Sequence, residues 1–181
     1  MKPEDILISS SDFDAFVASQ VEFLKSRLDD KPESLIPYLF IKTLDMEGKD
    51  SLTVVAIAAD FNEDSEKRSL LMGLGRKTYE QKQIPLAIAL SCEAWLAQNP
   101  PKGTEPRHCE NKREVALLAA QSLGNKLCKM VSIPVKRDGQ NRMKATMAVE
   151  WPSETKGIRT PILDHFFRGF YSAAMANPPN A

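Results

Sequence analysis

One carboxylate stands where carboxylates are rare. Glu93 lies near the end of Ile84–Trp95, the most continuous apolar run in the chain. Leu86, Ile88, Leu90 and Cys92 form one alternating set of that run, and Ala87, Ala89, Ser91, Glu93 and Trp95 the other. Neither set carries a charge before Glu93, which is the pattern of a strand buried on both faces. A carboxylate placed there must be paired, kept protonated or used for chemistry. Arg113 and Glu114 open the next apolar segment. A Glu93–Arg113 ion pair closing the base of the loop 98–112 is therefore the structural expectation. The chemical one makes Glu93 a catalytic group in a cleft under that loop.

Other groups with chemical potential are sparser. Cys92, His108, Cys109 and Cys128 have no C-x-x-C pair, and an adjacent His-Cys is not a usual ligand spacing, so no metal is expected. A cysteine nucleophile needs a base, and His108 and His165 are the histidines available, for Cys92 and Cys109 respectively. Glu-x-Lys, which in nucleases helps hold a metal and orient water, occurs at Glu47, Glu80, Glu110 and Glu154, but at loops and a helix end. Gly73-Leu74-Gly75 lacks the third glycine of a dinucleotide fingerprint, so no cofactor is expected. Arg107, Lys112, Arg113, Lys126 and Lys129 surround the loop, with Glu105, Glu110 and Glu114 interleaved, as on a solvated surface.

Composition sets the outer bounds. The chain has 181 residues, with 24 basic and 24 acidic side chains. That length suits one domain, 1–181, with 1–10 and 177–181 expected to be flexible. A zero balance argues against a dedicated nucleic-acid binder. Three cysteines without framework spacing suit a reducing compartment, and Met1–Asp5 runs into acid instead of an apolar leader. No run reaches the ~18 apolar residues of a membrane span. A cytoplasmic, soluble protein is expected.

The elements that must position these groups follow from periodicity. Phe13, Phe16, Val17, Gln20, Val21, Leu24 and Leu28 predict a helix over 11–30, capped by Ser11 with Asp14, one face on the sheet. Leu35–Leu44 and Leu52–Ala59 read as strands around a polar hairpin. Asn62–Lys82 reads as a helix with Asn62 as N-cap and Leu70, Leu71, Leu74 and Thr78 as its buried stripe. Its Gly73 and Gly75 are expected to allow contact with the small-residue face of the central strand. Arg113–Ser122, Leu127–Lys136 and Met143–Trp151 predict a meander with a turn at Asp138-Gly139. Thr160-Pro161 opens a last helix. Its apolar face, including Phe166, Phe167, Phe170 and Tyr171, is wide enough to be sandwiched inside the chain or set against a partner subunit. The order α-β-β-α-β-β-β-β-α gives an α+β fold with a mostly antiparallel, six-stranded sheet and packed helices.

Cys92-Glu93-Ala94-Trp95 followed, after a proline-containing loop, by Arg113-Glu114-Val115 resembles a pattern in uncharacterised bacterial and phage proteins. There a strand ends in Glu-Ala-Trp and the next begins with Arg-Glu and an apolar run. The resemblance covers about 84–120; this chain has Pro106-Arg107-His108-Cys109 where a more serine- and proline-rich stretch is expected. It implies no activity, but implies that Glu93, Trp95, Arg113 and Glu114 act as one unit. The functional expectation is a non-catalytic binding or interaction protein that self-associates through the last helix, with Phe166, Phe167, Phe170 and Tyr171 as its interface. Its binding surface is drawn from Glu93, Trp95, Arg107, His108, Arg113 and Glu114, and its partner is a second copy or another macromolecule, not a membrane. A small hydrolase or nuclease with its site under the 98–112 loop, and a nucleic-acid accessory protein, are the alternatives.

Overall fold

The first helix forms because seven apolar or amide side chains recur at helical spacing and because a serine closes its start. The computed structural model describes residues 8–57, 64–97, 99, 101–146 and 161–177. In it α1 spans Ser10–Asp29. Its N-cap is Ser9, two residues before the expected cap. Ser9 Oγ accepts from the Asp12 backbone N–H at 3.0 Å and donates to Asp12 Oδ2 at 2.6 Å. The buried stripe is Phe13, Phe16, Val17, Gln20, Val21, Leu24 and Leu28, as periodicity requires.

The remaining elements are β1 (Tyr38–Leu44), β2 (Asp50–Ala56), α2 (Asp64–Glu80), β3 (Ile84–Ala97), β4 (Lys112–Ser122), β5 (Cys128–Arg137), β6 (Met143–Ala145) and α3 (Pro161–Ala176). The six strands form one antiparallel sheet in the order β2-β1-β3-β4-β5-β6. The element order and α+β class are those expected. Asn62, Thr160 and the segment from Met147 to Trp151 lie outside the described residues. The turn between β5 and β6 differs in detail from the Asp-Gly signal. Asn141 takes the left-handed conformation at φ 61°, while Asp138 Oδ1 accepts from the Gln140 and Arg142 backbone N–H groups.

β3 is covered on both faces, and the two faces are covered differently. α1 lies over Phe40, Ala87, Ala89, Ala116, Leu118, Ala120, Val131 and Ile133. Four of those eight are alanine, and their small side chains leave room for Phe13 and Phe16, 1 % and 6 % exposed. The opposite face carries Leu39, Ile41, Ile88 and Ala119 under Leu71 of α2 and Leu163, Phe166 and Phe167 of α3. Pro85, which has no N–H for the ladder, sits beside a register shift between β1 and β3 at Lys42/Thr43, one of the few places a strand tolerates proline.

The glycines of α2 therefore meet something other than the sheet's alanine face, which belongs to α1. Gly75 lies against the Phe166 backbone of α3, and a Cβ added there would fall 2.9 Å from the Phe166 carbonyl carbon. Gly169 of α3 lies reciprocally against Met72, whose Cα would be 2.7 Å from an added Cβ. Two glycines thus let α2 and α3 cross in backbone contact, and Gly73 has nothing within 4 Å. Phe166, Phe167 and Phe170 are 0 %, 4 % and 1 % exposed within the single chain, and Tyr171 is half-buried. The width of the last helix's apolar face is accounted for by α2 and the sheet.

This packing separates two neighbouring glycines. Gly75→Ala forces a methyl into rigid backbone and should cost about 3 kcal/mol or more, lowering Tm by roughly 6–12 °C. Gly73→Ala meets open space in a helix interior and should stabilise by roughly 0.5–1 kcal/mol. Thermal unfolding followed by circular dichroism separates the two; equal Tm values would mean that the helices do not cross at Gly75.

Candidate functional site

Beyond the C-terminal end of α1, the sheet face that it covers turns polar. Alternation along β3 and β4 puts Glu93, Trp95, Lys112 and Glu114 on that face, with Glu93 opposite Ala116 and Trp95 opposite Glu114. Arg137 joins them from the end of β5. Its Nε donates to Glu114 Oε2 at 3.1 Å and its Nη2 to Glu114 Oε1 at 2.5 Å, a bidentate fork on a side chain only 9 % exposed. Nη2 also faces Glu93 Oε2 at 3.5 Å. Nη1 donates to the Glu33 carbonyl at 2.7 Å and to the Asn141 carbonyl at 3.0 Å. The second Glu93 oxygen, Oε1, accepts from the Leu35 backbone N–H at 2.5 Å.

The expected Glu93–Arg113 pair is replaced by a Glu93–Arg137 pair, and the register gives the reason. Arg113 lies opposite Leu96, so its side chain leaves the sheet on the other face. Glu93, Trp95 and Glu114 share one sheet face, and Arg113 lies on the other. Arg137 escaped the sequence reading because it ends a strand 23 residues after Glu114, and nothing local marks it. The available signal was the surplus itself: two carboxylates on one sheet face require a cation from somewhere. Hydrogen bonding to Glu114 raises the Arg137 pKa further above its ordinary value, so the guanidinium is a permanent charge here.

The loop between β3 and β4 is closed by a lysine. Lys112 Nζ lies 5.3 Å from the Trp95 ring centroid and donates to the Arg107 carbonyl at 2.7 Å. Trp95 itself remains 41 % exposed. Residues 106–108 make one 3-10 turn that presents Arg107 and His108 to solvent. Arg107 Nε pairs with Glu105 Oε2 at 2.6 Å. Cys109 turns inward, 6 % exposed, with its Sγ donating to the Glu105 carbonyl at 3.7 Å.

The cysteines have the surroundings of packing residues. Burial pushes the Cys92 thiol up to about 11; Lys67 opposes that effect and Glu93 adds to it. His165, on α3, is held below its ordinary value by burial and by Arg168 and Arg68, with Asp164 opposing them. Among the described residues no three His, Cys, Asp or Glu side chains are grouped to hold a metal ion, and no helix is long and apolar enough to cross a membrane. No protein-family model, curated protein or solved structure matches the chain.

Two outcomes follow from this geometry. Arg137→Ala strands the Glu114 carboxylate and frees two backbone carbonyls. It should cost roughly 2–3 kcal/mol, below the 3–5 of a fully buried pair because water still reaches the cluster. Glu93→Gln keeps an oxygen for the Leu35 N–H and should cost only about 0.5–1 kcal/mol. Urea unfolding ranks the two, and a Glu93→Gln loss as large as that of Arg137→Ala would move the centre of the cluster to Glu93. Cys92, with a thiolate fraction of about 0.1 % at pH 8, should resist iodoacetamide in the folded protein and react on unfolding. Rapid alkylation of the native protein at Cys92, read by peptide mass spectrometry, would contradict its placement.

Proposed function

We propose that this chain works by binding, as a self-associating interaction protein without a catalytic step, in the cytoplasm. One observation carries the reading. Both oxygens of Glu93, the residue best placed for acid–base chemistry, are committed to structural partners, Oε1 to the Leu35 N–H and Oε2 to Arg137. A general base needs a lone pair aimed at substrate. Here the carboxylate is aimed at the segment that joins α1 to β1. The other acid of the cluster, Glu114, is gripped by both ends of a guanidinium fork.

What the chain leaves available is surface for contact. Trp95, with Lys112 over its ring and Arg107 and His108 on the adjoining turn, offers an aromatic and cationic rim. Leu52 and Val54 of β2 are 48 % and 46 % exposed. Exposed large apolar side chains gathered on one strand support association more than scattered ones do. The resemblance of 84–120 to uncharacterised bacterial and phage proteins belongs with this reading and adds no chemistry to it.

Sedimentation velocity on the full chain across a wide dilution series tests it. The expected result is a species heavier than one chain that dissociates as concentration falls. A single-chain mass at every concentration would remove self-association from the proposal. Turnover of a phosphodiester or ester substrate that is lost in Glu93→Gln would replace it with the hydrolase reading.

A further inference from the structure

Among the described residues, β2 is an edge strand without the usual protections. It pairs with β1 in unbroken register over seven residues, and among the described residues no strand lies on its other side. Natural edges are blunted by shortness, lysine, proline or a bulge. The opposite edge of this sheet, β6, has three residues among those described. From Ser51 to Ala56, β2 has no charge, no proline and no bulge against β1.

Its backbone polarity can be assigned. The Ile57 N–H donates to the Pro37 carbonyl at 2.8 Å, and the Lys49 carbonyl accepts from the Asp45 N–H at 3.1 Å. Residues 49 and 57 therefore turn their backbone groups toward β1, and by the antiparallel alternation so do 51, 53 and 55. Asp50, Leu52, Val54 and Ala56 turn theirs to the open edge. The side chains of Leu52 and Val54 stand on the face that α1 covers farther in, beside Lys42 and Phe40 of β1. Phe23 of α1 stacks edge-on over Phe40 with centroids 5.3 Å apart. The apolar layer under α1 thus continues outward onto β2 and ends there in solvent.

We propose that β2 is a homodimerisation edge: two copies pair β2 to β2 antiparallel about a two-fold axis through Thr53, joining the sheets. This rests on the self-association reading and gives it a surface. The strand is complementary to itself in that register. Leu52 meets Val54 of the other copy, and Asp50 meets Ala56, so every edge-directed residue finds an edge-directed partner. A two-fold normal to the sheet keeps both copies' α1 layers on the same side. Four side chains, two Leu52 and two Val54, then close one apolar patch between them. No like charges are opposed, since Asp50 sits at the strand end and keeps Lys42 at 2.7 Å.

The test uses full-length protein in sedimentation velocity, with circular dichroism to show that each variant is folded. Wild type should run as a dimer. Val54→Lys and Leu52→Glu each change a side chain exposed in the single chain, so each should stay folded by circular dichroism while running at single-chain mass, its Tm lowered only by loss of the dimer. Mixed one to one, they should recover a dimer, because in this register the new ammonium at 54 opposes the new carboxylate at 52. A wild-type dimer with a Val54→Lys variant that stays dimeric overturns the β2 edge and leaves self-association standing on another surface. Monomeric variants that do not recover on mixing overturn the Leu52–Val54 register. A wild type that is monomeric throughout removes the self-association reading and this inference with it.

Discussion

A sheet that is apolar on both faces has to stop somewhere, and the Arg137 guanidinium is how this one stops. Glu93 and Glu114 stand on adjacent strands where the cover of α1 ends. Two carboxylates side by side on a partly desolvated face repel each other and lose hydration. Arg137 supplies a charge that cannot be titrated away and enough N–H groups to do more than neutralise. Its other bonds hold the Glu33 carbonyl, on the link from α1 to β1, and the Asn141 carbonyl, in the β5–β6 turn. One side chain therefore fixes two strands, a turn and a connection. The Leu35 N–H bonded to Glu93 and the Met143 N–H donating to the Pro32 carbonyl at 2.8 Å complete the closure.

The helical layers answer a different constraint. β3 is buried on both faces, so helices must come from both sides, but the sheet does not offer them equal space. On the alanine side a single helix carrying bulky aromatics lies close. On the other side the sheet presents leucine and isoleucine, and two helices share the cover. Those two save space between themselves, through Gly75 and Gly169, instead of at the sheet. Gly75 forgoes about 1 kcal/mol of helix propensity relative to alanine. The contact it makes possible brings Phe166 and Phe170 into a fully dry layer, and burying a side chain of that size is worth about 1.5–3 kcal/mol.

What the sequence made legible was periodic and local. The α1 stripe, the two-sided burial of β3 and the order of all nine elements follow from spacing alone. What escaped was pairing across the chain. That Arg113 faces away from Glu93 depends on a register that no local pattern encodes, since one residue of slip would reverse it. Arg137 was invisible for the same reason: its partners lie 23 and, through Glu33, 104 residues back along the chain. The helical glycines were read as marks of close approach, correctly for Gly75, but which surface approaches is tertiary information. The aromatic face of α3 was legible as too wide for an ordinary surface helix, and the intramolecular cover given by α2 resolves it.

The distribution of charge differs between the two ends of the sheet. At the closed end of the sheet, charges are paired with each other and directed inward, holding the chain together. At the β2 edge the strand is uncharged from Ser51 to Ala56, regular and apolar on one face, and among the described residues no strand pairs with its outward backbone groups. Here the carboxylates are the staples and the edge is left open. The fold thus spends its Glu93 and Glu114 carboxylates on rigidity and, among the described residues, leaves the β2 edge unpaired.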